Sequence, residues 1–204
     1  MRSLWYNRLY ISAKVMKMLR KRVCRWIGIA AAAVLLTGCS SEKAVEVYSF
    51  GEQQFSAGNS TVLMPVPFPL AAEAGEAANQ MRYEGRDKNI NILIMSQPIQ
   101  QPDGAQTIVL TPQLLAENTV ARLEKAASVH QLKHAMSEGI MEGRNAVYLD
   151  LQYTDTSGGK ATELSLRSVY FQDNGQIWSV MYFFQSQDAL GKDTADYIWS
   201  KIKQ

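Results

Sequence analysis

Cysteine is nearly missing from this 204-residue chain. It occurs at Cys24 and Cys39 and nowhere afterwards. The part following Cys39 therefore has no disulfide, no thiolate metal site and no cysteine nucleophile, and a packed core must hold its fold. Histidine is as scarce, with His130 and His134 the only two. Acidic residues are absent from the first 38 positions, which hold eight of the 21 basic ones. The remainder keeps 13 basic against 19 acidic side chains, a net of −6. That balance lacks the basic footprint a nucleic-acid partner wants. Long apolar runs are missing too. The longest, residues 26–36, is about half the roughly 20 residues that span a bilayer. No Gly-x-Ser-x-Gly or Ser-x-x-Lys setting occurs, and residues 139–143 lack the strand-loop-helix context of a phosphate loop.

What is present begins with Leu36-Thr37-Gly38-Cys39. Lys14, Lys17, Arg20, Lys21, Arg22 and Arg25 form a basic region, residues 26–36 an apolar one, and Thr37 and Gly38 are small residues at a cut. These are the parts of an export signal, and the cysteine after them makes it the signal of a bacterial lipoprotein precursor. Residues 1–38 are read as the signal peptide, Cys39 as the lipid-bearing first mature residue, and Leu36, Thr37 and Gly38 as the cleavage motif. Met16 and Met18 are alternative starts; either would make residues 1–15 an extension outside the translated protein. Ser40 stands where an aspartate would favour retention in the inner membrane. In a Gram-negative cell this implies the outer membrane, facing the periplasm.

Residues 39–54 are read as lipidated N-terminus and tether, and residues 55–204 as one domain. A strand at residues 60–64 is cut off by Pro65, Pro67 and Pro69. Residues 71–80, rich in alanine, suit a short helix weakened by Gly75. Residues 80–84 and 89–96 flank a turn and form a hairpin, with Ile90, Ile92 and Ile94 on one face and Leu93 and Met95 on the other. Residues 97–107 read as a loop. Thr111 caps a helix over residues 112–127 with Pro112 at its first position and Ala116, Val120, Leu123 and Ala127 as its apolar face. Strands follow at 129–138 and 144–153, then at 163–171 and 176–184 around Asn174-Gly175, the best hairpin signal in the chain. Asp188 caps a last helix to residue 203, with Leu190, Ile198 and Ile202 as its buried stripe. Helices segregated from antiparallel strands give an α+β fold: an antiparallel sheet with helices packed against it.

With its proline-ended early strand (Val62-Leu63-Met64-Pro65), its hairpin before the Pro112 helix, its Asp-Asn-Gly turn and its closing Ile198-Trp199-Ser200-Lys201-Ile202, the chain resembles the PsbP-like superfamily. Within that superfamily it resembles the DcrB-related bacterial lipoproteins. The resemblance covers residues 55–204 and implies an α/β/α layered domain. It also implies a binding or assembly role, with no catalytic motif and no cofactor.

Three constellations invite a site. His130 and His134, four apart, would share a face and could chelate a metal, but Gln131 stands where a His-Glu-x-x-His motif needs glutamate. Asp150 and Glu163 could pair as carboxylates across neighbouring strands. Tyr170, Phe171, Trp178, Tyr182, Phe183 and Phe184 crowd the last hairpin, with Trp178, Val180, Tyr182 and Phe184 on one face and Ile177, Met181 and Phe183 on the other. The reading that follows is a membrane-anchored exported lipoprotein acting as a non-catalytic binding or assembly factor at the cell envelope, with a protein partner. The alternatives are a small-ligand or lipid carrier with an aromatic-lined cleft beside the sheet, and a metal-dependent hydrolase built on His130 and His134.

Overall fold

The computed structural model describes residues 43–75, 79–103 and 106–202. The signal peptide, the cleavage motif and Cys39 lie outside the described residues. The centre is a seven-stranded, wholly antiparallel sheet in the order β3-β4-β5-β11-β10-β9-β8. Its strands are β3 (Ala71–Ala74), β4 (Met81–Arg86), β5 (Ile90–Pro98), β8 (Val129–Met141), β9 (Arg144–Asp155), β10 (Thr162–Asp173) and β11 (Gln176–Gln185). Two small hairpins, β1 (Gly51–Ala57) with β2 (Ser60–Val66) and β6 (Gln100–Asp103) with β7 (Gln106–Val109), lie outside it. Helices α1 (Ala44–Val47), α2 (Pro112–Glu124) and α3 (Ala189–Ile202) complete the α+β fold.

Period-two alternation splits the core in two. On one face of the sheet Ile90, Ile92, Ile94, Val169, Phe171, Trp178, Val180, Tyr182 and Phe184 pack under α3 and the β1–β2 hairpin. On the other face Val147, Leu149, Leu151, Tyr153, Leu166, Tyr170, Ile177 and Met181 pack under α2. The central strands are thus covered on both sides, as the near-continuous apolar runs of β5 and β11 require. The caps match their chemistry. Thr111 Oγ1 accepts from Leu114 N at 3.1 Å, and Asp188 Oδ1 accepts from Leu190 N and Gly191 N at 3.1 Å each.

Several elements differ from the reading above. The folded part starts before Phe55: α1 and β1 occupy what reads as tether, because Phe55 and Ala57 need Val62, Met64 and Val66 beside them. Strand β2 runs through Pro65, paired with Glu52. A two-stranded sheet is all edge, where a missing N–H is tolerated. The alanine-rich stretch is not a helix, since Ala71–Ala74 pairs with β4 as an edge strand and Gly75 N closes on Gln80 O at 2.8 Å. Helix propensity is a weak prior, and tertiary pairing overrides it here. The stretch read as a loop holds the end of β5 and the β6–β7 hairpin. Helix α2 stops at Glu124, so Ala127 is exposed and Leu115 is buried in its stead. Helix α3 buries Thr194, Ala195, Ile198, Trp199 and Ile202, whereas Leu190 is only half-buried.

Candidate functional site

The two histidines do not share a face. Between His130 and Lys133 the β8–β9 register shifts, with His130 opposite Thr154 and Lys133 opposite Gln152. Gln131 there has φ 54°, so β8 carries an extra residue. Opposed residues of an antiparallel pair project to the same side. His130 therefore joins Thr154 on the α3 side, while His134, opposite Leu151, joins the α2 side. A bulge re-aims side chains in this way, and it parts the two imidazoles that spacing alone would unite. His130 Nε2 lies 3.4 Å from Thr156 Oγ1. The second constellation also separates. Glu163 faces Thr154, whereas Asp150 faces Arg167 and pairs with its Nε at 3.2 Å. The aromatic residues of the last hairpin are core: Trp178, Phe171, Tyr170, Tyr182 and Phe184 are buried, with Phe183 half-buried against the α2 cluster.

The register that breaks these pairs builds something else. Helix α3 lies over β11 and β5, and its Trp199 reaches Tyr148 on β9. This leaves the α3 side open over β8 up to Ala135, β9 from Asp150 onward and the first half of β10, where Ser165 alone is buried. Three cross-strand rows cross it: His130–Thr154–Glu163, Lys133–Gln152–Ser165 and Ala135–Asp150–Arg167. Eight of these nine side chains are polar or charged. Arg167 is the hinge between the patch and α3. It pairs with Asp150 on β9 and with Asp196 on α3, and its guanidinium sits 5.9 Å from the centre of the Trp199 ring. Lys192 Nζ, one helical turn earlier, bonds Asp196 Oδ2 at 2.9 Å. Burial pushes the Asp196 carboxyl up, but Lys192 and Arg167 outweigh it and hold it below the usual range. Between this network and the sheet lies a cavity of about 150 Å³ lined by Gln152, Ser165, Arg167, Ser186 and Lys192 among others. Ser165 Oγ is bonded to Ser186 Oγ at 2.9 Å.

Such a surface offers donors and acceptors of both signs. A nucleophile needs a base within hydrogen-bond reach. Here Ser165 bonds another hydroxyl, and His130 stands in a different row. A second cavity, of about 460 Å³, lies between Gly58 in the β1–β2 turn and the Gly75–Gln80 closure, and neither Phe nor Trp lines it. Among the described residues no group of three His, Cys, Asp or Glu side chains is placed to hold a metal. No helix among them is long and apolar enough to cross a membrane.

The patch is built of ordinary strand residues, and sequence reading passes over Arg167, Ser165 and Gln152. One signal was there: Arg167 is in phase with Val169 and Phe171, a charge on the inward-facing positions of a strand.

No protein-family model and no curated protein matches the chain. Solved structures do. The chain is similar to cyanobacterial PsbP (CyanoP) from Synechocystis sp. PCC 6803, at 11% identity and TM-score 0.47, over 82% of this chain and 95% of that one. It is similar to LpqN, involved in cell envelope biogenesis of Mycobacterium tuberculosis, at 13% identity and TM-score 0.40, over 77% and 94%. It is also similar to PA94 of Pseudomonas aeruginosa, a protein of unknown function, at 14% identity and TM-score 0.38, over 75% and 95%. The fold assignment itself stands on the strand order and the two-sided core described above.

Proposed function

We propose that this chain is an exported lipoprotein of the DcrB-related kind, anchored through Cys39. In a Gram-negative cell it would sit at the outer membrane and face the periplasm. It acts there as a non-catalytic binding factor that docks a protein partner on the open face of β8–β10. The observation behind this is the three-row polar patch, open to solvent around Lys133, Gln152 and Asp150, while the aromatic side chains a carrier would need are spent in the two cores. The anchor suits that role. Three residues lie between Cys39 and Lys43, four chain steps with a reach of about 14 Å at most. Ala44 N then bonds Asp193 Oδ2 at 2.6 Å, so the chain joins the domain on α3.

Two measurements test the two halves. A photoreactive amino acid at Gln152, in intact cells, is expected to give an adduct of one discrete mass; at Glu117, on the exposed side of α2, it gives none. Equal labelling at both sites, or none at Gln152, sinks the docking face. Radiolabelled palmitate is expected to enter the parent chain but not Cys39→Ser, which should accumulate as uncleaved precursor. A labelled Cys39→Ser chain would show that the wrong cysteine was chosen.

A further inference from the structure

Strand β8 is the margin of the large sheet: β9 lies on one side and no described strand on the other. It is 13 residues long. A long edge strand is a template for further pairing unless proline, charge or a bulge blunts it. The bulge at His130–Lys133 guards only the first part. Residues 133–141 run in unbroken register against β9, contain no proline, and carry one lysine at their very start.

We infer that this edge pairs, antiparallel, with β8 of a second copy of the chain about a two-fold axis at Met136, joining two sheets into one of fourteen strands. The sequence of the edge selects the register. A two-fold axis perpendicular to the sheet keeps each face on its own side, so a residue can meet only residues an even number of places away. With Met136 on the axis, the α2 side sets His134 opposite Glu138 of the second copy, and Glu138 opposite its His134. Met136 meets itself, and at both ends Leu132, at the margin of the bulge, comes beside Ile140. On the α3 side Ala135 meets Ser137, and Lys133 meets Gly139, where the Tyr148 ring fills the place a Cβ would take and offers the lysine an aromatic edge. Centring on Ala135 instead sets Leu132 against Glu138, and centring on Ser137 sets Met136 against Glu138 and His134 against Ile140. Both discard the His134–Glu138 match, in which an imidazole N–H faces a carboxylate acceptor, and place an apolar side chain against a carboxylate.

Features of the single chain agree with this pairing. Ile140 is 60% exposed, and Leu132 and Met136 are half-buried against the α2 cluster. Neither His134 nor Glu138 has a hydrogen-bond or ion-pair partner among the described residues. They cannot satisfy each other in one chain, because four residues along a strand span about 13 Å. The pairing is independent of the partner proposed for the open face.

The test uses the full chain in its membrane. Opposed residues of an antiparallel pair have Cα atoms about 4.5–5.5 Å apart, within disulfide range. Under mild oxidation Met136→Cys is expected to give a species of twice the chain mass, above the level set by the parent chain with its own Cys24 and Cys39. Ala135→Cys and Ser137→Cys should each stay at that level alone and cross-link when expressed together. Glu138→Lys, in the Met136→Cys chain, should weaken the dimer roughly ten-fold by replacing two cross-strand His–Glu contacts with two donor–donor contacts. Adding His134→Glu should restore it, a rescue that only contact between copies can produce. The inference is overturned if Met136→Cys cross-links no better than Ala135→Cys alone, if its adduct has another protein's mass, or if the charge swap gives no rescue.

Discussion

Trp178 donates its indole N–H to Ser60 Oγ at 2.8 Å, and Ser60 in turn donates to Asp173 Oδ2 at 2.5 Å. Arg144 Nε closes the chain on Asp173 Oδ1 at 2.9 Å. Four residues from four strands are thereby tied: β2, β9, β10 and β11. Trp178 and Ser60 are both fully buried, so the relay replaces the hydration their polar atoms lose.

Ser60→Ala removes the acceptor and strands the indole N–H in the core. The expected loss is about 1–3 kcal/mol, the cost of one buried unsatisfied donor. Urea denaturation followed by far-UV circular dichroism measures it. An unchanged midpoint would mean that the hydroxyl is dispensable.

Acid should weaken the fold through two carboxylates. Burial raises the Asp173 pKa, but the Ser60 hydroxyl and Arg144 outweigh it, and the net shift is downward. Asp196 is lowered as well. A group whose folded pKa is depressed contributes stability above its unfolded value, near 3.9 for Asp, and loses it as pH falls through the folded value. The urea midpoint is therefore expected to decline from roughly pH 5 downward. Asp173→Asn with Asp196→Asn should flatten that decline while lowering stability at pH 7. An equally steep acid limb in the double variant would place the proton uptake elsewhere.

Local chemistry made some of this legible in sequence. The Asn174-Gly175 turn has φ 44° and 80°, the left-handed pair that a two-residue hairpin demands. Thr111-Pro112 opened α2 where capping chemistry puts it. The rest depended on partners distant in the chain. Strand β1 shows only Phe55 and Ala57 buried among polar neighbours, too short an alternation to read. Residues 71–74 carry a helix former's composition but meet an open strand edge at β4. The histidine faces turn on a single extra residue at Gln131, and one residue inverts every side chain beyond it. The polar patch needed the register of three strands, which no local pattern states.

Gly191 lies in the first turns of α3 against the sheet. An Ala in a helix interior normally gains roughly 0.8–1.0 kcal/mol over Gly. Here a Cβ would stand 2.5 Å from the backbone oxygen of Asn89 and 3.0 Å from Phe184 Cβ. The backbone oxygen cannot swing aside, so α3 would have to lift. Gly191→Ala is expected to destabilise by about 1–3 kcal/mol, the usual cost of overpacking. Thermal unfolding checks the sign, and a raised melting temperature would refute the close packing of α3 on the β4–β5 turn.

The closing helix is the element whose removal the fold should tolerate least. Ile198 and Ala195 are fully buried, Ile202 is 1% exposed, and Trp199 stacks edge-on against Tyr148 at 5.3 Å and Tyr182 at 6.3 Å. Truncating Ile198 to alanine deletes methylene groups from a site walled by β2, β5 and β11, where collapse is limited. The expected loss is about 2–5 kcal/mol, set against a total stability of about 5–15 kcal/mol for a domain of this size. Val45, by contrast, is 53% exposed on α1, and Val45→Ala should stay within about 0.5 kcal/mol of the parent. Both variants are compared with the parent by urea denaturation at pH 7. Equal midpoints for Ile198→Ala and the parent would mean that α3 rests on the sheet without sharing its core, and the two-sided layering would then be wrong on that face.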